Sequence, residues 1–129
     1  MPNANLIRES YEINDGLDSI VIVNCLGDIA GGRTLDVAAL PSTMTVIKSG
    51  HIIIKSSTGV FKPMPINEAG TAYASLPASH SYVGVLKSSI PVADPRAAIL
   101  TIGQVNQAAC PYSVTSDMKS ALTHIQWLY

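Results

Sequence analysis

Histidines, cysteines and carboxylates are the side chains of this sequence that could carry acid–base, metal or redox chemistry. Its three histidines, His51, His80 and His124, lie far apart, with no His-x-x-x-His pair and no Cys/His cluster. Zinc sites need ligands at such short spacings. We therefore expect no metal site, and each histidine should be a surface residue or a hydrogen-bonded one.

The closest carboxylate pairs are Glu9/Glu12 and Asp15/Asp18, in a polar N-terminal region. General acid–base catalysis needs carboxyl groups held in a cleft with shifted pKa values, whereas pairs in a loop are usually solvated. Residues 79–81 read Ser-His-Ser, but sequence neighbours do not make a triad and no Gly-x-Ser-x-Gly elbow is present. These patterns predict no catalytic residue and no enzyme activity.

A glycine-rich segment at residues 27–32 lacks both the Walker lysine and the order of a dinucleotide-binding loop. It is typical of a β-turn, and we expect no cofactor. Cys25 and Cys110 are isolated, without Cys-x-x-Cys spacing. They are therefore expected to be free, buried thiols.

The composition describes one domain with unusually little charge. Of 129 residues, 13% are charged and 47% hydrophobic, against roughly a quarter charged in an ordinary soluble domain. Apolar surface must therefore be covered by a closed fold or by partners. A net charge of −1 without a Lys/Arg cluster argues against nucleic acid. The longest aliphatic run, residues 20–23, is far short of a membrane span, and no signal pattern precedes it, so cytoplasmic synthesis is expected.

The elements that must organise these residues are mostly short strands. Residues 1–13 form a polar arm, and residues 14–129 a single β-rich domain. Residues 17–26 are the most hydrophobic segment and predict a buried strand. Further extended segments are predicted at residues 33–39, 44–48, 51–55, 60–64 and 71–76. Strands at intervals of roughly 8 to 12 residues indicate a mainly β fold, a small barrel or sandwich.

The periodicity changes after Pro111. Apolar residues then recur at helical spacing, which predicts one amphipathic C-terminal helix over residues 114–127. Ser113 or Thr115 can cap this helix, and Asp117 in the first turn suits its dipole. We expect the helix to close the open end of the barrel.

The centre of the chain, residues 82–106, predicts two strands of one sheet. Two β-branched runs flank a break that contains Pro91, Asp94 and Pro95. Gly84 and Gly103 lie inside these strands, where glycine marks a bulge, a bend or a close backbone approach. Both are expected to be structural positions.

These same residues carry a family resemblance. Residues 83–86 read Val-Gly-Val-Leu, residues 99–106 end in Gly-Gln-Val-Asn, and residues 50–54 and 59–63 form a glycine-led hairpin pattern. Over residues 46–129 the chain resembles tailed-phage head decoration and head-fibre proteins of the lambda type. The resemblance implies a β-tulip-like capsid protein on the outside of the virion. It would bind the major capsid protein as a homotrimer, with other head-surface or fibre proteins as further partners.

The N-terminal arm is the expected source of additional contacts. Leu6 and Ile7 are the apolar pair expected to enter a groove or add a strand to a neighbour, while Arg8, Glu9 and Glu12 would make rim contacts. The alternative is a frayed terminus without a role. Another protein class also stays open: a non-viral β-barrel that binds carbohydrate or protein, which should expose aromatic residues on one face.

Overall fold

One six-stranded sheet forms the framework of the molecule. The computed structural model describes residues 18–129, so the arm and its five expected contact residues lie outside the described part. A helical turn, α1 (Asp18–Val21), precedes the first strand, and a second helix, α2 (Ser116–Ala121), precedes the last. The strands are β1 (Ile22–Asp28), β2 (Arg33–Thr34), β3 (Val46–Ile47), β4 (Ile52–Ser56), β5 (Phe61–Pro63), β6 (His80–Leu86), β7 (Ile90–Pro91), β8 (Arg96–Ala97), β9 (Ile99–Asn106) and β10 (Ile125–Leu128).

The main sheet has the strand order β1-β9-β6-β4-β5, and β10 lies beside β9. All its pairings are antiparallel except the parallel β9–β10 ladder. One edge of β9 pairs with β1, while the other is shared between β6 and β10. Two small ladders, β2–β8 and β3–β7, complete the fold. The mainly β class is confirmed, but the sheet is open, because its terminal strands β1 and β5 do not pair and so close no barrel.

The sheet is buried on both faces at its centre. Successive side chains of a strand point to opposite faces, so a strand covered on both sides must be apolar without alternation. The Ile52-Ile53-Ile54 run in β4 meets this requirement, since all three residues are fully buried. The first core cluster contains Ile52, Ile54, Val85 and Leu100, and the second contains Ile53, Leu86 and Ile99. Strands β4, β6 and β9 are thereby fixed by packing from two sides.

The expected central pair and hairpin are confirmed. Strands β6 and β9 pair through Val85–Leu100 and Leu86–Ile99, and β4 and β5 form an antiparallel hairpin. The rest of the expected meander is not continuous. Strand β3 pairs with β7 rather than with β4, and the segment at residues 33–39 is a strand only at Arg33–Thr34. Residues 71–76 contribute a single bridge, between Tyr73 and Ile66.

The prediction of a buried strand at residues 17–26 was correct about a strand over residues 22–26, but wrong about its start and its burial. Residues 18–21 form the helical turn α1, whose Val21 is fully buried, and the strand begins only at Ile22. Most of β1 is exposed, because this strand lies at the end of the sheet order. A short aliphatic run has no periodicity that separates a helical turn from a strand, or a central strand from a terminal one.

The C-terminal helix is shorter than expected. It begins after Thr115, whose hydroxyl accepts a hydrogen bond from the Met118 amide, and Asp117 lies in its first turn, as the sequence predicted. The helix ends at Ala121, and residues 125–128 form β10 instead. Met118, Leu122 and Ile125 all join the first core cluster, although they belong to a helix, a turn and a strand. Helical spacing therefore identified three buried residues but not the backbone conformation, and the helix does not plug a barrel.

Candidate protein interface

Apolar side chains are exposed around β1. Leu26 is 69% exposed, Ile20 47%, Val23 44% and Ile102 of the neighbouring strand 43%. Gly27 pairs with Ile102 across the β1–β9 ladder and leaves room for its side chain. Single exposed apolar residues are normal, but four such residues on β1, on the preceding helical turn and on the neighbouring strand indicate a contact surface. We call these four residues, together with the free edge of β1, the β1 surface.

The outer backbone edge of β1 pairs with no strand within the described residues. The orientation of this edge follows from Gly103, which donates its N–H to the carbonyl of His124 on the side of β10. The N–H and C=O of Gly103 therefore point away from β1. Gly103 and its partner Cys25 thus face each other as a non-hydrogen-bonded pair. The N–H and C=O of Cys25 consequently point to the open edge.

The two terminal strands of the sheet differ in how their edges are protected. Strand β5 has three residues, which include Lys62 and Pro63, and short strands with Lys or Pro discourage pairing with other chains. Strand β1 has seven residues, and the first six carry no charge. Its protection consists of register shifts between Ile22 and Asn24 and between Cys25 and Asp28. The Asn24–Cys25 segment between these shifts is the regular part of the open edge.

One ion pair balances the charge of β1. Lys87 Nζ lies 2.9 Å from Asp28 Oδ2, and both side chains are partly exposed. The hydrogen bond to Asp28 raises the pKa of Lys87, against a smaller opposing effect of desolvation. An exposed pair of this kind adds little stability. Its effect is to leave β1 without net charge.

The cysteines are free, as expected, but only one of them is substantially buried. Cys25 is exposed at the middle of β1, which contradicts the expectation of a buried thiol. Cys110 is partly buried, and desolvation raises its pKa to about 11. The difference follows from position, because β1 is a terminal strand while Cys110 packs against the first core cluster.

The fold also gathers three aromatic residues that are scattered in the sequence. The His51 ring makes edge contacts with Tyr73 and Tyr112, at centroid distances of 5.2 and 5.7 Å. His51 Nε2 lies 2.8 Å from the carbonyl oxygen of Met64 and must donate to it, because a carbonyl can only accept. Burial lowers the pKa of His51 to about 4. The hydroxyl of Tyr73 accepts a hydrogen bond from the Ile52 amide, and burial raises the pKa of Tyr73.

A cavity of about 240 Å³ adjoins this cluster. Its lining residues are Met44, Val46, Lys48, His51, Gly70, Pro111 and Tyr112. Carbohydrate and cation recognition by aromatic residues depends on ring faces that a ligand can stack upon. Here His51 meets both tyrosine rings edge to face and the tyrosine rings are tilted against each other, so the three rings pack on one another. The cluster is therefore better interpreted as packing around a buried, neutral histidine than as a binding site.

Gly84 and Gly103 are positions of close backbone approach. A Cβ atom on Gly84 would collide with the carbonyl oxygen of Leu100, and one on Gly103 with the carbonyl oxygen of Asn24. Neither glycine has a positive φ. The constraint at both positions is therefore the neighbouring strand rather than the conformation of the glycine itself.

The other sequence candidates stay apart in space. His80 Nδ1 lies 2.8 Å from the carbonyl of Ala78, and His124 is exposed. Gly31 and Gly32 adopt positive φ in the turn after β1, as the glycine-rich segment predicted. Among residues 18–129, no group of three or more His, Cys, Asp or Glu side chains is placed to hold a metal ion.

Comparison of the chain with protein-family models, with curated proteins and with solved structures found no match. In the described part of the chain, no helix has the length and apolar character needed to cross a membrane. The β1 surface is thus the feature from which a function can be argued.

Proposed function

We propose that this chain is a structural protein that binds the outside of a tailed-phage head as a homotrimer and stabilises it by contact with the major capsid protein. The observation that carries the proposal is the β1 surface. Strand β1 is seven residues long, its one charged residue is already paired, and register shifts are its main protection, so its outer edge can accept another chain. An edge left open is expected where assembly covers it.

The rest of the molecule is consistent with attachment rather than with turnover of a substrate. A sheet packed on both faces gives a stiff body, and the chain is only 13% charged. A shell offers many identical positions, so several weak contacts per trimer combine into strong binding. Neither a cofactor nor a catalytic group is needed for this role.

Leu26→Glu is expected to lower binding to heads at least tenfold. Because Leu26 is 69% exposed, the change should leave the free energy of unfolding within about 0.5 kcal/mol. The glutamate would place an unpaired negative charge in the contact that covers the β1 surface on the head. Binding is measured by co-sedimentation with empty heads assembled from the major capsid protein encoded in the same genome.

Val60→Glu is the matched control, since Val60 is 42% exposed but lies in the β4–β5 turn. This variant should bind as the wild type does. Equal binding by Leu26→Glu and the wild type would show that the β1 surface takes no part in assembly on the head. A wild-type protein that does not bind these heads at all would contradict the proposed function.

Deletion of residues 1–13 is expected to reduce head occupancy about tenfold at limiting protein concentration. Leu6 and Ile7 are the proposed apolar contacts of the arm, with Arg8, Glu9 and Glu12 at the rim. A trimer carries three arms, so losing each weak contact lowers the avidity of the whole. The control is the thermal unfolding of the truncated protein, which should be unchanged. Full occupancy by a truncated protein that still trimerises would leave the arm without a role.

A non-viral protein-binding module is the second candidate, because an open edge strand also binds extended peptides by strand addition. The two functions differ in assembly. A decoration protein should be a trimer by light scattering, or become one on its shell. A module of this kind would be a monomer that does not bind heads.

A further inference from the structure

We infer that β1 pairs with β1 of a second copy of this chain, antiparallel, across a two-fold axis beside Cys25. The inference rests on the proposed role of the β1 surface as a contact and names the partner of that surface. It does not depend on whether the second copy is bound to a phage head.

The hydrogen-bonding groups at the open edge suit a two-fold pair. Cys25 is the middle residue of Ile22–Asp28, and its N–H and C=O point outward. In a two-fold pair, the N–H of each Cys25 donates to the carbonyl of the other. One residue thus supplies both the donor and the acceptor, as a self-complementary interface requires. The two Cα atoms would lie about 5.5 Å apart.

The charges of β1 favour a second copy over a charged partner. Asp28 is the one charged residue of the strand, and Lys87 of the same chain already pairs with it. An acidic or basic partner therefore gains no attraction along this edge. When the two Cys25 residues lie opposite each other, each Asp28 lies opposite Ile22 of the other copy. The two carboxylates are then at opposite ends of the ladder, about 20 Å apart, and do not repel strongly.

Apolar side chains supply most of the stabilisation. Ile20, Val23, Leu26 and Ile102 surround the edge and are between 43% and 69% exposed. The register shifts on both sides of Asn24–Cys25 keep the regular ladder short, so few backbone hydrogen bonds form and the contact is weak for an isolated pair. Repetition on a surface would strengthen it.

A two-fold pair is compatible with a trimer that uses a different surface. Two-fold and three-fold contacts on separate surfaces join trimers side by side. In that arrangement the β1 surface links neighbouring trimers, and the trimer contact lies elsewhere on the molecule.

Disulfide trapping tests the register. The full-length protein is incubated with oxidised glutathione, and the products are separated without reductant. Two Cys25 thiols lose two protons and two electrons to form one S–S bond, and the oxidant is reduced to two glutathione thiols. Disulfides form readily at Cα separations of about 4.4 to 6.8 Å. We expect a covalent dimer from the wild type and from Cys110→Ser, and none from Cys25→Ser.

An off-axis cysteine provides the matched control. In the double variant Cys25→Ser, Leu26→Cys, the new thiol is also exposed, but the two symmetry-related Cα atoms would be roughly 8 Å apart, beyond disulfide range. Its covalent dimer should form at least tenfold more slowly than the wild-type dimer. Equal rates for the two positions, or no dimer from the wild type even at high protein concentration and on decorated heads, would overturn the inference.

The result is independent of head binding. A protein that binds heads but is never trapped through Cys25 would retain its proposed function and lose the two-fold pair. Rapid trapping through Cys25 in a protein that does not bind heads would support the pair and contradict the phage-head function.

Discussion

Gly84→Val is expected to lower the free energy of unfolding by about 3 kcal/mol or more, or to prevent folding. Any Cβ atom at this position would collide with the carbonyl oxygen of Leu100 in the adjacent strand. That oxygen belongs to the backbone of β9, whose Ile99 and Leu100 are fully buried in the two core clusters. The strand cannot move aside without disturbing both clusters. Urea denaturation monitored by Trp127 fluorescence measures the loss.

Gly27→Val is the control for Gly84→Val. Gly27 also lies in a strand and has no positive φ, but its Cβ would meet the side chain of Ile102, at 3.2 to 3.4 Å. Ile102 is 43% exposed, so its Cδ1 and Cγ1 can rotate into solvent and its Cβ needs to move by only a few tenths of an ångström; the loss should be about 1 kcal/mol or less. If the two variants unfold at the same urea concentration, the close approach at Gly84 does not constrain the fold.

The sequence predicted the elements whose signals are local. The β6 and β9 strands and the β4–β5 hairpin are bounded by Pro, Gly and Asp residues whose turn chemistry acts within a few positions. The helix cap was narrowed to Ser113 or Thr115 for the same reason, and the structure has Thr115. The glycines at positions 84 and 103 were also identified as structural, although the sequence could not say which atoms they approach.

The features that depend on tertiary structure could not be predicted. The apolar run around residues 20–23 gave no sign that it belongs to a terminal strand, and the β1 surface was therefore expected in the core. Asn24 and Asp28 were the available signals, since polar residues in a strand indicate an exposed side. Strand β10 was missed because its apolar spacing also fits a helix, and the backbone there is determined by the free part of the β9 edge. The grouping of His51, Tyr73 and Tyr112 comes from segments far apart in the chain.

That grouping leads to the second large effect, a dependence of stability on pH. The free energy of unfolding is expected to fall by about 3 kcal/mol between pH 6.5 and pH 4, since each unit of pKa shift is worth 1.36 kcal/mol. The pKa of His51 is lowered from 6.5 to about 4 in the folded protein. Between these values the unfolded chain binds a proton at this histidine and the folded chain does not. Stability therefore rises with pH across this window and is lost as the pH falls.

The cause is the burial of the His51 ring. His51 is 1% exposed, and its Nε2–H is already committed to the carbonyl of Met64. That hydrogen bond favours the protonated ring, but desolvation has the larger effect. Protonation would place a positive charge beside Tyr73 and Tyr112, in a region where the described residues provide no carboxylate partner.

Urea denaturation at several values between pH 4 and pH 7.5 measures this dependence, with His51→Gln and His124→Gln compared against the wild type. His51→Gln should be less stable at pH 7 but should lose most of the slope, because it has no group at this position to protonate on unfolding. His124 is exposed, so His124→Gln should keep the wild-type slope. Carboxyl groups of the unfolded chain titrate mainly below about pH 4.5, so the interval from pH 5 to pH 6.5 isolates the histidine. A wild-type protein whose stability is flat across that interval, or a slope that survives in His51→Gln, would mean that His51 is not the buried neutral group which the geometry indicates.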